Sequence, residues 1–362
     1  MEKGDLKMDR YAMNRYTEET LAAAREVEPS FKYVKIDRRR LQEVAEENAD
    51  KVSSDLPAWD CPLVQPAAHH AFPSQEAFGN AINFDYDKSI DGKLVKFEVP
   101  HPDPGKKPFM GAYAMQRCIY RLAEEKPLTV ERMRSVLVDF ETFRAAFRGT
   151  NEMPLLEERY DMLHEVCNVL ATKFAGDIMQ LIKRADYRAF GDEKTPGIVE
   201  LLVKEFPLAF GEDHFKDEHC FFVPHGRKFV FNKRAQLFAL MYHDRAVNSG
   251  DALRPLRDPE SIGPIADYEL PKSYVADGVL VYNETLSNHI ANALEIRSHM
   301  QPEIEIRLAF TLVHTEELHI MNRIRKTRGL PPIHVGHLDY YRWERGRAAK
   351  HLNHHLTHTT DY

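Results

Sequence analysis

From residue 129 onward, apolar residues recur at three- and four-residue spacing almost without interruption, and this period most constrains the fold. Leu155, Leu156, Met162, Leu163, Val166 and Leu170 form one such stripe behind Pro154. Ile304, Leu308 and Leu312 form another, on the longest predicted helix, which runs from Pro302 to Gly329. Glycines and prolines cut the pattern into separate helices. Strand signals are few: residues 94–99, and a hairpin over residues 220–231 that reads FFVP and KFVF around His225 and Gly226. The expectation is a mainly α, single helical domain with a small β portion. A chain of 362 residues, 43% of them hydrophobic, can bury the core such a fold needs.

The N-terminal part is less regular. Residues 1–26 are charged and helix-prone, and read as an added helix or arm ahead of a domain over residues 27–362. Asp37 has the chemistry of an N-cap for a helix presenting Leu41, Val44 and Ala45. A proline-rich loop with His69 and His70 spans residues 57–73, a helical piece begins near Ser74, and a further helix is expected over residues 111–125. Between these helices lies Asn83-Phe84-Asp85-Tyr86-Asp87. Aromatics alternating with carboxylates suit the face and edge of a planar heterocycle; the same pattern fits a strand end with Phe84 in the core.

The segment from residue 228 to residue 271 carries the sharpest chemical signal. In FNKRAQLFALMYH, Leu237, Leu240 and Met241 mark a buried helix face, and four residues before Leu237 stands Lys233. A cation at a helix N-terminus opposes the macrodipole, and one aimed inward is also desolvated. Such an amine wants an anionic partner or a chemical task. Asp267 is the candidate, in the otherwise apolar GPIADYELP before Pro271, a residue that favours a helix start. Two readings follow: a buried ion pair stapling two helices, or an active site.

Other features narrow the function classes. A net charge of −7 argues against a surface that wraps a polynucleotide, although a small anionic ligand needs only local cations. The four cysteines (Cys61, Cys118, Cys167, Cys220) show no CxxC spacing and read as reduced thiols. The first ten residues lack the apolar core of a leader, and no run approaches a membrane span, so the expectation is a cytoplasmic protein. His351, His354, His355 and His358 stand at helical spacing, yet no Cys or carboxylate joins them at ligand spacing, so no metal is assigned. Glu303 and Arg307, four apart, can pair on one face, with Glu305 pointing elsewhere.

Several stretches together resemble the queuosine salvage proteins, which act as queuosine 5′-monophosphate N-glycosylases. These are MPLLEER (residues 153–159), GRKFVFNKRAQ (226–236), ADYELP (266–271), EIEIR (303–307), LDYYRW (338–343) and the tail from His354 to Tyr362. The resemblance implies a helical core similar to that of helix-hairpin-helix DNA glycosylases. It further implies Asp267 as the catalytic carboxylate with Lys233 as its neighbour. Phe84 and Asp85 would hold the base, beside Tyr86 and Tyr268, with Glu305, Arg307, Tyr340 and Trp343 as further pocket residues. The chain departs from the family pattern at Asp87 (usually Trp), Glu269 (usually basic), Asn232 (usually Tyr) and Lys272 (usually Gln).

The implied reaction is hydrolysis of an N-glycoside of a 7-deazaguanine base. A fixed carboxylate stabilises the oxocarbenium-like sugar and directs water. A 7-deaza base carries carbon in place of N7, so protonation there cannot assist departure. Its 5′-phosphate calls for cations, for which Arg234, Lys272 and Arg307 are candidates. No metal or cofactor is required by this chemistry. The partner implied is a small nucleotide, without stable nucleic-acid binding and without a membrane. A glycosylase acting on a flipped base in a polynucleotide, and an inactive helical nucleobase-binding or scaffold protein, are the alternatives.

Overall fold

A computed structural model describes residues 13–124, 127–192, 194–216 and 228–362. In chain order its elements are α1 (Arg15–Val27), β1 (Val34–Ile36), α2 (Arg38–Asn48), α3 (Phe72–Ala81), β2 (Asp87–Ile90), β3 (Lys93–Lys96), β4 (Glu98–Val99), β5 (Phe109–Met110) and α4 (Ala112–Arg121). Then come α5 (Val130–Val136), α6 (Phe140–Ala146), α7 (Leu156–Lys173), α8 (Ile178–Arg184), α9 (Ile198–Glu205), β6 (His214–Lys216), β7 (Lys228–Val230) and α10 (Lys233–Val247). The last are α11 (Glu269–Ala276), β8 (Leu280–Tyr282), α12 (Glu284–Ala291), α13 (Gln301–Thr327) and α14 (Val335–Ala348). Among the described residues the strands form four antiparallel pairs, β1 with β8, β2 with β3, β4 with β5 and β6 with β7. The fold is mainly α, as the apolar period predicts.

Two helices form the interior. Every residue of α13 from Glu303 to Thr315 is buried, and α10 is buried almost throughout. A helix buried on all sides is a central one, so the amphipathic helices pack around these two. α2 lies on α13, α3 on α10, and α14 on α11. The last contact is close because residue 346 is glycine: a Cβ there would sit 2.3 Å from the carbonyl oxygen of Glu269. That approach brings the inward face of α14 beside the N-terminus of α11.

Local expectations fared unevenly. Asp37 caps α2, its Oδ1 accepting from the Arg40 N–H at 2.9 Å. The strand expected over residues 94–99 is instead two strands, because the chain turns at Phe97, whose N–H donates to the Tyr86 carbonyl at 2.7 Å. In the expected hairpin, β7 is present but pairs with His214–Lys216; the FFVP arm, the turn and Cys220 lie outside the described residues. Of the charged N-terminal segment, residues 1–12 also lie outside them, while α1 packs against β7 and α13 through Leu21, Ala24 and Val27. The C-terminal histidines are not on a helix. Residues beyond α14 run irregularly, with Leu356 bridged to Glu295.

Candidate active site

Lys233 and Asp267 both line a cavity of ≈ 850 Å³. Asn232, in a left-handed conformation (φ 46°), turns the chain so that α10 begins on Lys233. The amine is 3% exposed and donates to the Asn83 carbonyl at 2.9 Å. Burial pulls its pKa down to about 8, against the opposing pull of Asp267 and Asp213. Asp267 precedes α11, and its Oδ1 accepts from the backbone N–H groups of Glu269 and Leu270, each at 2.9 Å. These are orphan donors of the first turn, so helix capping fixes the carboxylate's position. Burial raises the Asp267 carboxyl above its ordinary range, and Lys233 moderates the rise.

One wall of the cavity is aromatic. Trp59, Tyr113, Tyr340 and Trp343 line it, with Trp59 edge-on to Tyr340 (5.5 Å between centroids) and Tyr113 edge-on to Trp343 (5.7 Å). Another wall is ionic. Glu269 lies between Lys96 (2.8 Å) and Lys272 (2.6 Å), and Asp87 lies 3.6 Å from Lys96 and 3.3 Å from His354. Burial alone would raise the Glu269 carboxyl, but Lys96, His354 and Lys272 outweigh it and hold the group well below its usual range. The two acids that set this chain apart from the family pattern are thereby balanced by lysines from β3 and α11. Lys107, Arg347 and Lys350 add exposed cations to the lining.

The structure brings together Phe84, Tyr86, Lys233, Asp267, Tyr268, Lys272, Tyr340 and Trp343, all of which line the cavity. Phe84 offers little ring face, because the guanidiniums of Arg159 and Arg234 lie 4.0 and 5.2 Å from its centroid. Tyr268 packs on the His354 imidazole, 4.3 Å between centroids. Four expected pocket residues are not in the lining. The Asp85 carboxylate pairs with His358 at 2.7 Å. Arg234 donates to the carbonyls of Ala81 and Ala209. Glu305 accepts from the N–H groups of Lys32, Tyr33 and Val34. Arg307 forks onto Asp213 at 2.9 and 2.6 Å, with Glu303 farther off at 3.9 Å. Their charges are spent on tying segments together.

Sequence reasoning missed Trp59, Lys96, Tyr113 and Asp339 in the lining. The one available signal was Asp339 itself, inside the LDYYRW stretch already singled out. Among the described residues no group of three or more His, Cys, Asp or Glu is placed to hold a metal ion, and none of the helices is long and apolar enough to cross a membrane.

Comparison with known proteins places the chain in a family. The family model described as queuosine salvage protein matches residues 80–362. A queuosine 5′-phosphate N-glycosylase/hydrolase of Mus musculus is 26% identical over 250 residues, 68% of this chain and 69% of the relative. The protein of the same name from Sphaerobacter thermophilus is 30% identical over 218 residues, covering 60% of this chain and 61% of its own length. That of Bos taurus is 26% identical over 250 residues, 67% of this chain and 68% of the relative.

Proposed function

This chain belongs to the queuosine salvage protein family, and from that premise we propose that it is an N-glycosylase that hydrolyses queuosine 5′-monophosphate, or a related 7-deazaguanine nucleotide, to the free base and ribose 5-phosphate. The observation that carries the reading is a cavity whose lining combines a capped carboxylate, Asp267, and a buried amine, Lys233, with a wall of partly exposed aromatics. We take residues 27–362 as the catalytic unit, with α1 of the preceding segment packed on it.

In this mechanism the base lies against Tyr340 and Trp343, and the anomeric carbon lies over Asp267. As the glycosidic bond lengthens, the carboxylate stabilises positive charge on the sugar and orients the incoming water. Lys233 keeps Asp267 ionised through its charge, since hydrolysis needs no covalent amine intermediate. Lys107, Arg347 and Lys350, at the exposed part of the lining, replace Arg234 and Arg307 as phosphate-binding candidates; Arg347 is also braced over Tyr113 and Trp343 at 4.9 and 4.6 Å.

The test is incubation of the protein with queuosine, its 5′-monophosphate and ordinary purine nucleotides, following free base by chromatography. Release should be fastest from the 5′-monophosphate, with kcat/KM at least about tenfold above that of the nucleoside, the effect of one charge-assisted contact. Absence of release from all the deazaguanine substrates would remove the reading.

A further inference from the structure

The cavity holds a second carboxylate that this mechanism leaves unused. Asp339, on α14, lines the same cavity as Asp267 and Lys233 and is 7% exposed. Its carboxyl lies against the backbone N–H of Ile265, two residues before Asp267. Its Oδ1 has no hydrogen-bond partner; 4.0 Å away stands the Nε2 of His314, also without one.

The proton on this pair can be located by following hydrogens inward from a buried ion pair. Arg342 donates to Glu317 through Nε at 2.8 Å, which keeps that carboxylate charged. Tyr274 has one hydroxyl proton and donates it to Glu317 at 2.6 Å. Toward His314, 3.0 Å away at Nδ1, the tyrosine oxygen therefore accepts, so Nδ1 carries the hydrogen. Burial and the nearby Arg342 hold this imidazole neutral, with its pKa pulled to about 3. Its Nε2 is then a bare lone pair. With Nε2 unprotonated, an ionised Asp339 sets its Oδ1 as a second bare acceptor 4.0 Å from that lone pair, an opposition that a proton on the carboxyl relieves. The charged groups facing Asp339 agree. Burial and the negative charges of Asp267 and Asp244 raise its carboxyl well above the usual range, against the Ile265 N–H and Lys233.

We propose that Asp339 enters the reaction protonated and is the general acid that protonates the departing base, opposite an ionised Asp267. The inference rests on the glycosylase reading above. The bond between the anomeric carbon and the glycosidic nitrogen breaks with its electron pair moving to nitrogen, and the Asp339 proton follows it there. Water adds to the anomeric carbon and gives up a proton to Asp267. Transfer of one proton from Asp267 back to Asp339 through solvent restores the starting state. The step answers a need of the substrate: a base without N7 cannot be protonated at that position, and a proton delivered to the glycosidic nitrogen neutralises the leaving anion instead.

The experiment compares two leaving groups on the full chain. One substrate is queuosine 5′-monophosphate; the other is 4-nitrophenyl β-ribofuranoside 5-phosphate, whose nitrophenolate departs without a proton. With Asp339→Asn, kcat on the nucleotide should fall at least about a hundredfold and the part of its alkaline limb not shared with the nitrophenyl substrate should vanish, while nitrophenolate release changes less than about threefold. Equal losses on both substrates, or an unchanged alkaline limb, overturn the acid role. If the variant does not fold, the wild-type protein still decides: both substrates share any fall that follows loss of the Lys233 charge, the nucleotide alone is expected to show a further alkaline limb, and parallel profiles overturn the proposal. Wild-type protein that cleaves neither compound removes the glycosylase reading together with this one; turnover of both with parallel profiles removes the acid role alone.

Discussion

Arg307 and Lys233 are both cations buried in the same helical core, and they are treated in opposite ways. The Arg307 guanidinium has two bonds to Asp213 and the rings of Phe231 and Tyr362 at 3.9 and 4.3 Å. Burial alone would weaken its charge, but Asp213 and Glu303 more than compensate, so the charged form is favoured. The Lys233 amine has the Asn83 carbonyl at 2.9 Å and a desolvation that its neighbours do not offset. Asp267 and Asp339, near it on the cavity wall, are both pushed toward their neutral forms, while Asp213 shows how a buried acid is anchored. A fully partnered buried ion is structural material. An under-partnered one beside a cavity retains reactivity that a substrate can use.

The strongest test of this contrast is at its structural end. Arg307→Met leaves Asp213 and Glu303 buried without their cation and should destabilise the fold by about 3–5 kcal/mol, as removal of one partner of a buried pair does. Turnover per folded molecule should stay within about twofold of wild type. A raised KM for the nucleotide at unchanged denaturant midpoint would instead make Arg307 a phosphate ligand and break the comparison.

At the reactive end the pattern should invert. Asp267→Asn keeps the side chain's shape and its oxygen for the Glu269 and Leu270 N–H groups, but removes the charge. A kcat loss of at least about a hundredfold is expected, with base binding retained and little change in melting temperature. Loss of stability with normal turnover would mean that Asp267 only staples helices.

A smaller effect sharpens the description of Lys233. Its pKa is lowered from 10.5 to about 8, so between these values the unfolded chain holds a proton that the folded one has released. Stability from this group therefore rises with pH across that window; below it both states are protonated and the burial penalty stands in full. At about 1.4 kcal/mol per pH unit, the rise is at most about 3.5 kcal/mol. Lys233→Met should abolish it, read from unfolding free energies in denaturant at a series of pH values. The same pH slope in both proteins would show that the amine is not held near neutrality.

How much of this was legible beforehand depends on what kind of signal each residue left. Lys233 was visible because it extends an apolar stripe inward, four residues before Leu237, and Asp267 because it interrupts an apolar run. Arg307 and Glu305 were expected in the pocket from the family resemblance, Arg307 also as a cation for the phosphate. On a helix buried all round, however, residue type carries no information about which face meets the cavity. The C-terminal histidines had helical spacing but no helix; His354 instead reaches Asp87 and His358 reaches Asp85, contacts that span more than two hundred residues. Trp59, Lys96, Tyr113 and Asp339 come from a loop, β3, α4 and α14 and leave no joint pattern.

By itself the sequence determined the helical character, the caps and the inward lysine, because these rest on contacts within a few residues, where hydrogen bonding and side-chain period are written directly in the order of the chain. Only the tertiary structure decided which buried charges are neutralised and which are left facing a cavity. Desolvation and Coulomb attraction sum over every nearby atom, and the atoms around Asp267 and Asp339 are supplied by α10, α13, α14 and the segment before α11 together.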